Sequence, residues 1–335
     1  MENLAKRFFI RLSENPWLNH AAKKWGTHLA GRFIAGTDLP SVIETIKEMN
    51  RKGYHCTADH LGEFVRNRKE AYQATNEILN LLESVSIHQL DCHVSVKLSQ
   101  LGLDIGYDVC LENMKKILAI AEEYGIFVNI DMEDYSRFHP TINILKRLRK
   151  QYAGVGTVIQ SYLHCAEKAL SELEDVRVRI VKGAYRENAN VAFQSDEEIY
   201  HNFLKLAKKR LSSPAFTSIA THDHRIIREL TAFIQANKIP SERFDFQFLY
   251  GFREDLQKEL LKEGYRITIY LPYGHEWFGY YMRRLAERPQ NIQLLMKEMF
   301  YTEENRLKKG PVISGVVALS AFILYRKKRK KGNNP

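Results

Sequence analysis

The densest chemistry in the 335-residue chain lies in the segment Tyr270-Leu-Pro-Tyr-Gly274-His-Glu-Trp277-Phe-Gly-Tyr280-Tyr-Met-Arg283-Arg284-Leu-Ala-Glu287. If a helix starts near His275, then Trp277, Tyr280, Arg283, Arg284 and Glu287 share one face. A guanidinium is a planar fork of donors, so two adjacent arginines make a receptor for a small carboxylate. Aromatic rings on the same face would cover an apolar ligand body. The alternative is a solvated Arg-Arg-x-x-Glu surface held by its own ion pairs.

Further candidates stand at the ends of short β-branched or alternating runs: Lys97, Asp131 and Glu133, Gln160, Arg179 and Lys182, Thr221 and His222, Gln247, and Tyr270. Burying charge is costly unless it is partnered. Lys97 and Arg179 therefore either pair with Asp131 and Glu133 inside the fold or hold a ligand. In Val181-Lys182-Gly183-Ala184-Tyr185, Gly183 would let the backbone approach a phosphate or a flat ring, and Lys182 would supply charge. No G-x-G-x-x-G and no G-x-x-x-x-G-K-[ST] occurs, which excludes a Rossmann dinucleotide site and a P-loop. His222-Asp-His224 with Asp131 suggests a rival: a metal-dependent barrel hydrolase. Its weakness is the third histidine, because His93 sits at the start of a run rather than at its end.

These residues need elements to position them. The runs are Tyr54–Asp59, His93–Lys97, Ile126–Asp131, Gly156–Gln160, Val176–Val181, Thr217–Thr221, Phe244–Leu249 and Arg266–Tyr270, eight in all, with helical periodicity between them. One stripe is Val109, Leu111, Met114, Leu118 and Ala121, closed by Gly125. Eight strand–helix alternations predict a (βα)8 barrel, with an open doubly wound sheet as competitor. Residues 1–52 read as an N-terminal helical segment. Its clearest helix follows Thr37-Asp38-Leu39-Pro40, carries Val42, Ile43, Ile46 and Met49 on one face, and ends at Gly53. The barrel is expected over 53–301, and a distinct tail over 302–335.

Composition is that of a globular protein, 44% hydrophobic and 27% charged. The net charge of +10 is misleading, because residues 306–335 hold nine basic side chains and no acidic one, leaving +1 for residues 1–305. A nucleic-acid-binding body is disfavoured on that ground. Four scattered cysteines offer no zinc motif and no disulfide framework. The charged N-terminus lacks an apolar core, so no secretory signal is expected.

Nine strings occur in order: Arg32-Phe-Ile-Ala-Gly36, Leu61-Gly-Glu63, Val96-Lys97-Leu98, Ile130-Asp131-Met-Glu133, Val158-Ile-Gln160-Ser-Tyr162, Arg179-Ile-Val-Lys-Gly-Ala-Tyr185, Ala220-Thr-His222, Phe246-Gln-Phe-Leu249-Tyr-Gly251, and Tyr270-x-Pro-x-Gly274 with Arg283-Arg284-x-x-Glu287. Together they resemble the monofunctional bacterial proline dehydrogenases, over residues 30 to 300 or so. The resemblance implies a (βα)8 barrel that holds FAD without a Rossmann domain. It also implies oxidation of L-proline to Δ1-pyrroline-5-carboxylate, with electrons passed to membrane quinone. Arg283, Arg284 and Lys97 are then expected to bind the proline carboxylate, and Tyr270, Tyr280 and Leu249 to wall the ring. Asp131 is expected near the reacting centre, hydrogen-bonded to Tyr270, and Arg179 beside the flavin. Gln160, Val181, Lys182, Gly183, Thr221, His222 and Met132 are expected to hold the cofactor. Glu63 is expected to pair with an active-site arginine as a gate over the substrate. No metal is expected in this reading.

The tail departs from the family pattern. Pro311–Tyr325 is uncharged, and six basic residues, Arg326–Lys331, follow it. As a helix it covers ~23 Å, short of the ~30 Å hydrocarbon core of a bilayer. An interfacial or re-entrant helix fits better than a spanning one. The expectation is a protein tethered through residues 306–335 to the cytoplasmic face of the membrane, where a quinone acceptor resides.

Overall fold

A computed structural model describes residues 34–62, 65–277 and 280. The chain divides into two compact units, Gly31–Trp277 and a second made of Met1–Ala30 with Phe278–Pro335. Of the second unit only Tyr280, which is buried, is described.

The first unit is a closed ring of eight parallel strands, β1 His55–His60, β2 Cys92–Val96, β3 Val128–Ile130, β4 Val155–Gln160, β5 Val178–Val181, β6 Thr217–Ala220, β7 Phe244–Leu249 and β8 Ile267–Tyr273. Each strand pairs with its sequence neighbours, and β8 closes on β1. Helix α1 (Leu39–Arg51) precedes β1. Between the strands come α2 (Arg68–Ile87), α3 (Tyr107–Glu123), α4 (Tyr135–Leu148), α5 (Ala166–Ser171), α6 (Asp196–Leu211), α7 (His224–Ala236) and α8 (Glu254–Lys262). The fold is a (βα)8 barrel, and the open-sheet alternative falls with the β1–β8 pairing.

Local chemistry accounts for the helix ends. Asp38 caps α1 by accepting from the Ser41 backbone N–H at 3.0 Å, while the Ser41 hydroxyl oxygen accepts from the Asp38 N–H at 3.2 Å. Gly53 follows the helix at φ +84°, a backbone region that favours glycine. Helix α6 starts on a Ser195–Glu198 capping box, with acids in its first turn and bases in its last, which complements the helix dipole. The boundary expected at residue 52 shifts. Helix α1 belongs to the barrel unit, because Val42, Ile43, Ile46 and Met49 are buried and Gly36 pairs with Tyr273 of β8. On α3 the buried face is centred on Cys110, Met114, Ile117 and Leu118, and Val109 lies only at its margin.

Alternation along the strands sorts side chains between the helix layer and the barrel interior. Cys56, Ala58, Val94, Val96, Val178, Ile180, Phe246 and Phe248 are apolar, fully buried and part of the continuous hydrophobic core. The intervening residues are polar: Thr57 and Asp59, Ser95, Asn129, Arg179, Ser218, Asp245 and Gln247, and Thr268. They meet one another between neighbouring strands, as in Thr57–Ser95 at 3.0 Å and Thr268 to Asp245 at 2.5 Å. A barrel interior is normally filled by branched apolar side chains, so this one is a polar layer over an apolar shell.

At the N-terminal ends of the strands a cation packs between two aromatic rings. The Arg177 guanidinium lies 4.4 Å from the Phe127 ring centre and 3.9 Å from that of Phe216. It donates to His93 Nδ1 at 3.3 Å and stands 3.9 Å from Asp245. Burial lowers Arg177 to about 10 and holds His93 well below the usual histidine range, with Arg177 adding to the effect. Arg266, just before β8, donates to His55 Nδ1 at 3.2 Å.

Candidate active site

Four of the expected site residues converge at the C-terminal ends of β2, β3, β5 and β8. Asp131, immediately after β3, is the hub. Its Oδ1 accepts from Arg179 Nη1 at 2.8 Å, and its Oδ2 accepts from Lys97 Nζ at 3.2 Å and lies 2.8 Å from the Tyr270 hydroxyl. Asn129 adds a contact at 3.3 Å. Arg179 reaches further down to the Ser95 hydroxyl at 3.0 Å, and its guanidinium lies 5.3 Å from the Tyr270 ring centre. Lys97, Asp131 and Arg179 are all buried. Burial pushes the Asp131 carboxyl up, but Lys97 and Arg179 outweigh it and hold it below the usual carboxylate range. Burial, with Asp131 and Asp59 beside it, pushes the Tyr270 phenol well above its ordinary value, so the hydroxyl stays protonated.

Asp59, at the end of β1, completes the cluster, and sequence reasoning missed it. It is fully buried and accepts from Lys97 at 2.6 Å. The sequence signal was weak, because His55-Cys-Thr-Ala-Asp-His60 is not a β-branched run. Only the inward pairing of Thr57 with Asp59, two residues on, betrays it. Glu133 behaves differently from the expectation that it would meet Lys97 or Arg179. It accepts from the Ser99 backbone N–H at 2.9 Å and the Ser99 hydroxyl at 2.5 Å. Burial raises its carboxyl.

A second group lies on β4, β5 and the turn after β5. Gln160 is buried and donates to the carbonyls of Met132 and Glu133 at 3.3 and 3.2 Å. Met132 is buried and Val181 half-buried. Gly183 has φ +107°, and a Cβ there would sit 2.2 Å from the Tyr162 ring. The flat ring that needs a glycine at this position is thus Tyr162 of the protein itself. Lys182 turns to the surface and pairs with Asp196 at 2.6 Å, its side chain 59% exposed. A third group joins β6 and β7. Thr221 Oγ1 accepts from the Asp223 N–H at 3.1 Å, and His222 Nε2 accepts from the Leu249 N–H at 3.1 Å while its ring stacks on Phe252. Glu63, Arg283, Arg284, Glu287 and the tail lie outside the described residues.

Buried side-chain atoms in this region without a hydrogen-bond partner among the described residues include Arg179 Nε, Gln160 Oε1, Gln247 Oε1 and the Tyr162 hydroxyl. The donor on Arg179 and the acceptor on Gln160 would match a ring carbonyl and a ring N–H of a flat heterocycle. The metal-hydrolase alternative fares worse. His224 is exposed, His222 is committed to Leu249, and Asp131 is ringed by cations that a metal would have to displace. Among the described residues no group of three metal-binding side chains is assembled.

The comparison with known proteins is decisive about the family. The family model described as Proline dehydrogenase matches residues 42–295. The chain belongs to the proline dehydrogenase family. It is 43% identical over 299 residues to Proline dehydrogenase 2 of Bacillus subtilis, covering 88% of this chain and 99% of that one. It is 36% identical over 306 residues to the Proline dehydrogenase of Deinococcus radiodurans, covering 89% and 99%. Among solved structures, proline utilization A (PutA) from Bdellovibrio bacteriovorus, inactivated by N-propargylglycine, superposes with a TM-score of 0.74 at 26% identity. That match covers 83% of this chain and 34% of the larger protein, so the chain spans about a third of PutA.

Proposed function

We propose that this protein oxidises L-proline to Δ1-pyrroline-5-carboxylate, with FAD as the hydride acceptor and membrane quinone as the final electron sink. Family membership makes it an oxidoreductase of proline metabolism. The observation that carries the finer reading is the Asp131 hub, which locks Lys97, Arg179 and Tyr270 together at the mouth of the barrel. The PutA neighbour is inactivated by N-propargylglycine, a molecule that carries an amine next to a carboxylated carbon, as proline does.

When bound, FAD supplies the two-electron chemistry that no side chain of the barrel can provide. Gln160, Val181, Lys182, Gly183, Thr221, His222 and Met132 are the residues proposed to hold it, with Arg179 beside its ring. The exposed Lys182 suits a phosphate arm that leaves the barrel rather than the ring. The chain's own residues do the positioning. The proline carboxylate is assigned to Arg283 and Arg284, with Lys97 near, and the ring to the wall of Tyr270, Tyr280 and Leu249. Glu63 is proposed as the gate. Fixing one end of a small ring aims the carbon beside its nitrogen and supplies orientation in advance of reaction. As hydride departs, positive charge develops on that nitrogen, so the amine must be neutral first. The ionised Asp131 and the uncharged, hydrogen-bonded phenol of Tyr270 face that developing charge with fixed dipoles.

The basic tail is proposed to tether the enzyme to the cytoplasmic membrane face, which raises the local concentration of a bilayer-borne acceptor. Among the described residues no helix is long and apolar enough to cross a membrane. Anaerobic titration tests the core of the reading. The purified protein is expected to be yellow, with its flavin absorption bleached by L-proline in a one-to-one reduction. A colourless protein, or a flavin that proline leaves oxidised, refutes it.

A further inference from the structure

Helix α4 begins just after the loop that carries Asp131, and its first turn lacks a side-chain cap of its own. Asp134 stands at the N-cap position without capping, because its carboxylate is taken by the Ser136 hydroxyl and the Arg137 guanidinium. The acceptor comes instead from a distant part of the chain. Glu187, half-buried in the loop after β5, accepts from the Tyr135 N–H at 2.7 Å. A carboxylate there satisfies one of the donors that a helix start leaves open and meets the positive end of the helix dipole. The bond therefore joins the loop after β3 to the loop after β5, two loops whose strands are separated by β4.

That joint falls between two stretches of the β5 loop that are fastened to β4. Downstream, the His164 N–H donates to the Val191 carbonyl at 2.9 Å and the Phe193 N–H to the Tyr162 carbonyl at 2.8 Å. Upstream, the Tyr162 N–H donates to the Lys182 carbonyl at 3.0 Å. Gly183 follows, its backbone so close to the Tyr162 ring that a Cβ would lie 2.2 Å away. A fit that close tolerates little displacement. Lys182 and Gly183 are this loop's share of the residues proposed to hold the flavin, and Met132 is the share of the β3 loop. Gln160 ties the β3 loop from within by donating to the Met132 and Glu133 carbonyls at 3.3 and 3.2 Å. Glu187 supplies a matching tie from the β5 side. We propose that Glu187 is a positioning residue for the cofactor: by capping α4 from the neighbouring loop, it orders residues 182–187 before a flavin arrives. A segment ordered in advance loses less freedom on binding, so the ligand is held more tightly. The affinity part of this inference rests on the proposed flavin chemistry; the ordering part does not.

The test uses the full-length protein. Glu187→Ala is expected to raise the Kd for FAD, measured by equilibrium dialysis, at least about tenfold. It is also expected to speed amide hydrogen exchange across residues 182–188, read by mass spectrometry with no flavin added, at least about tenfold. Glu187→Gln keeps an oxygen acceptor at the same reach and is expected to bring the Kd back to within about threefold of the parent. A merely structural cap would speed exchange only in the first turn of α4, residues 135–138, and leave the Kd for FAD where it was. Should Glu187→Ala fail to fold, Glu187→Asp shortens the reach by a methylene and is expected to raise both quantities at least about threefold. A Kd within about twofold of the parent in the variant that removes or shortens the side chain, faster exchange confined to residues 135–138, or a Glu187→Gln protein as weak as Glu187→Ala overturns the proposal. If the parent binds no flavin, the functional reading fails, while the exchange measurement, which needs none, still decides whether Glu187 orders the loop.

Discussion

Asp131→Asn is the perturbation that interrogates the barrel mouth most directly. The substitution keeps the shape of the side chain and removes its charge. Arg179, whose side chain is 7% exposed, loses the anion 2.8 Å from its Nη1, and Lys97 loses one of its two carboxylates. Removing one partner of a buried ion pair costs ~3–5 kcal/mol, because the remaining charge stays desolvated. For a domain of this size that lowers the melting temperature by about 6–20 °C. The pH dependence follows from the direction of the shift. The Asp131 carboxyl is depressed in the folded state, so its stabilisation is fully present above the ordinary Asp value of ~3.9 and is lost as pH falls through the folded value. The gap between parent and variant is therefore expected to stay flat from about pH 5 to 8, and to narrow only in acid below that range. Melts of the two holoenzymes followed by tryptophan fluorescence measure it, with kcat for L-proline falling on the order of 10²-fold as Tyr270 and Arg179 lose register. A gap under about 1 kcal/mol at neutral pH, or one that opens only in alkali, refutes the assignment of Asp131 as the charged hub.

Three further expectations follow from the same geometry. Gly183→Ala puts a Cβ 2.2 Å from the Tyr162 ring at φ +107°; it should cost more than about 2 kcal/mol and lower flavin content, measured as the flavin-to-protein absorbance ratio. Arg284→Met should raise KM for L-proline more than about tenfold with flavin content near stoichiometric, and an unchanged KM removes the carboxylate assignment. Deleting residues 306–335 should release the enzyme from membranes on fractionation while leaving turnover with a soluble acceptor intact; an enzyme that stays membrane-bound without them excludes the tail as the anchor.

Much of the barrel was legible because most of its strands are short β-branched or alternating runs bounded by glycine and polar residues. The run Phe244–Leu249 coincides with β7, and the others shift by a few residues at their ends. Lys97, Asp131, Arg179 and Tyr270 were legible as a set, because charge at the end of a strand in such a barrel has few places to go. The contacts of Asp131 with Lys97, Arg179 and Tyr270 were among the readings offered. That Lys97 also meets Asp59, while Glu133 turns to Ser99, depends on side-chain direction around a closed ring, which no linear spacing encodes. The polar interior was hidden for the same reason. Arg177 and Asp245 carry no distinguishing sequence signal, and only the ring brings the guanidinium between Phe127 and Phe216 and within 3.9 Å of the carboxylate.

The packing of Arg177 at the N-terminal end has a kinetic corollary under the proposed function. With Arg177 held between two phenyl rings at the base, the proposed substrate and the proposed electron acceptor are both assigned to the opposite end of the ring. On that reading an oxidised imino acid departs before an acceptor approaches from the same side. Donor and acceptor then take turns, and double-reciprocal plots at fixed acceptor levels should run parallel, the mark of a ping-pong cycle.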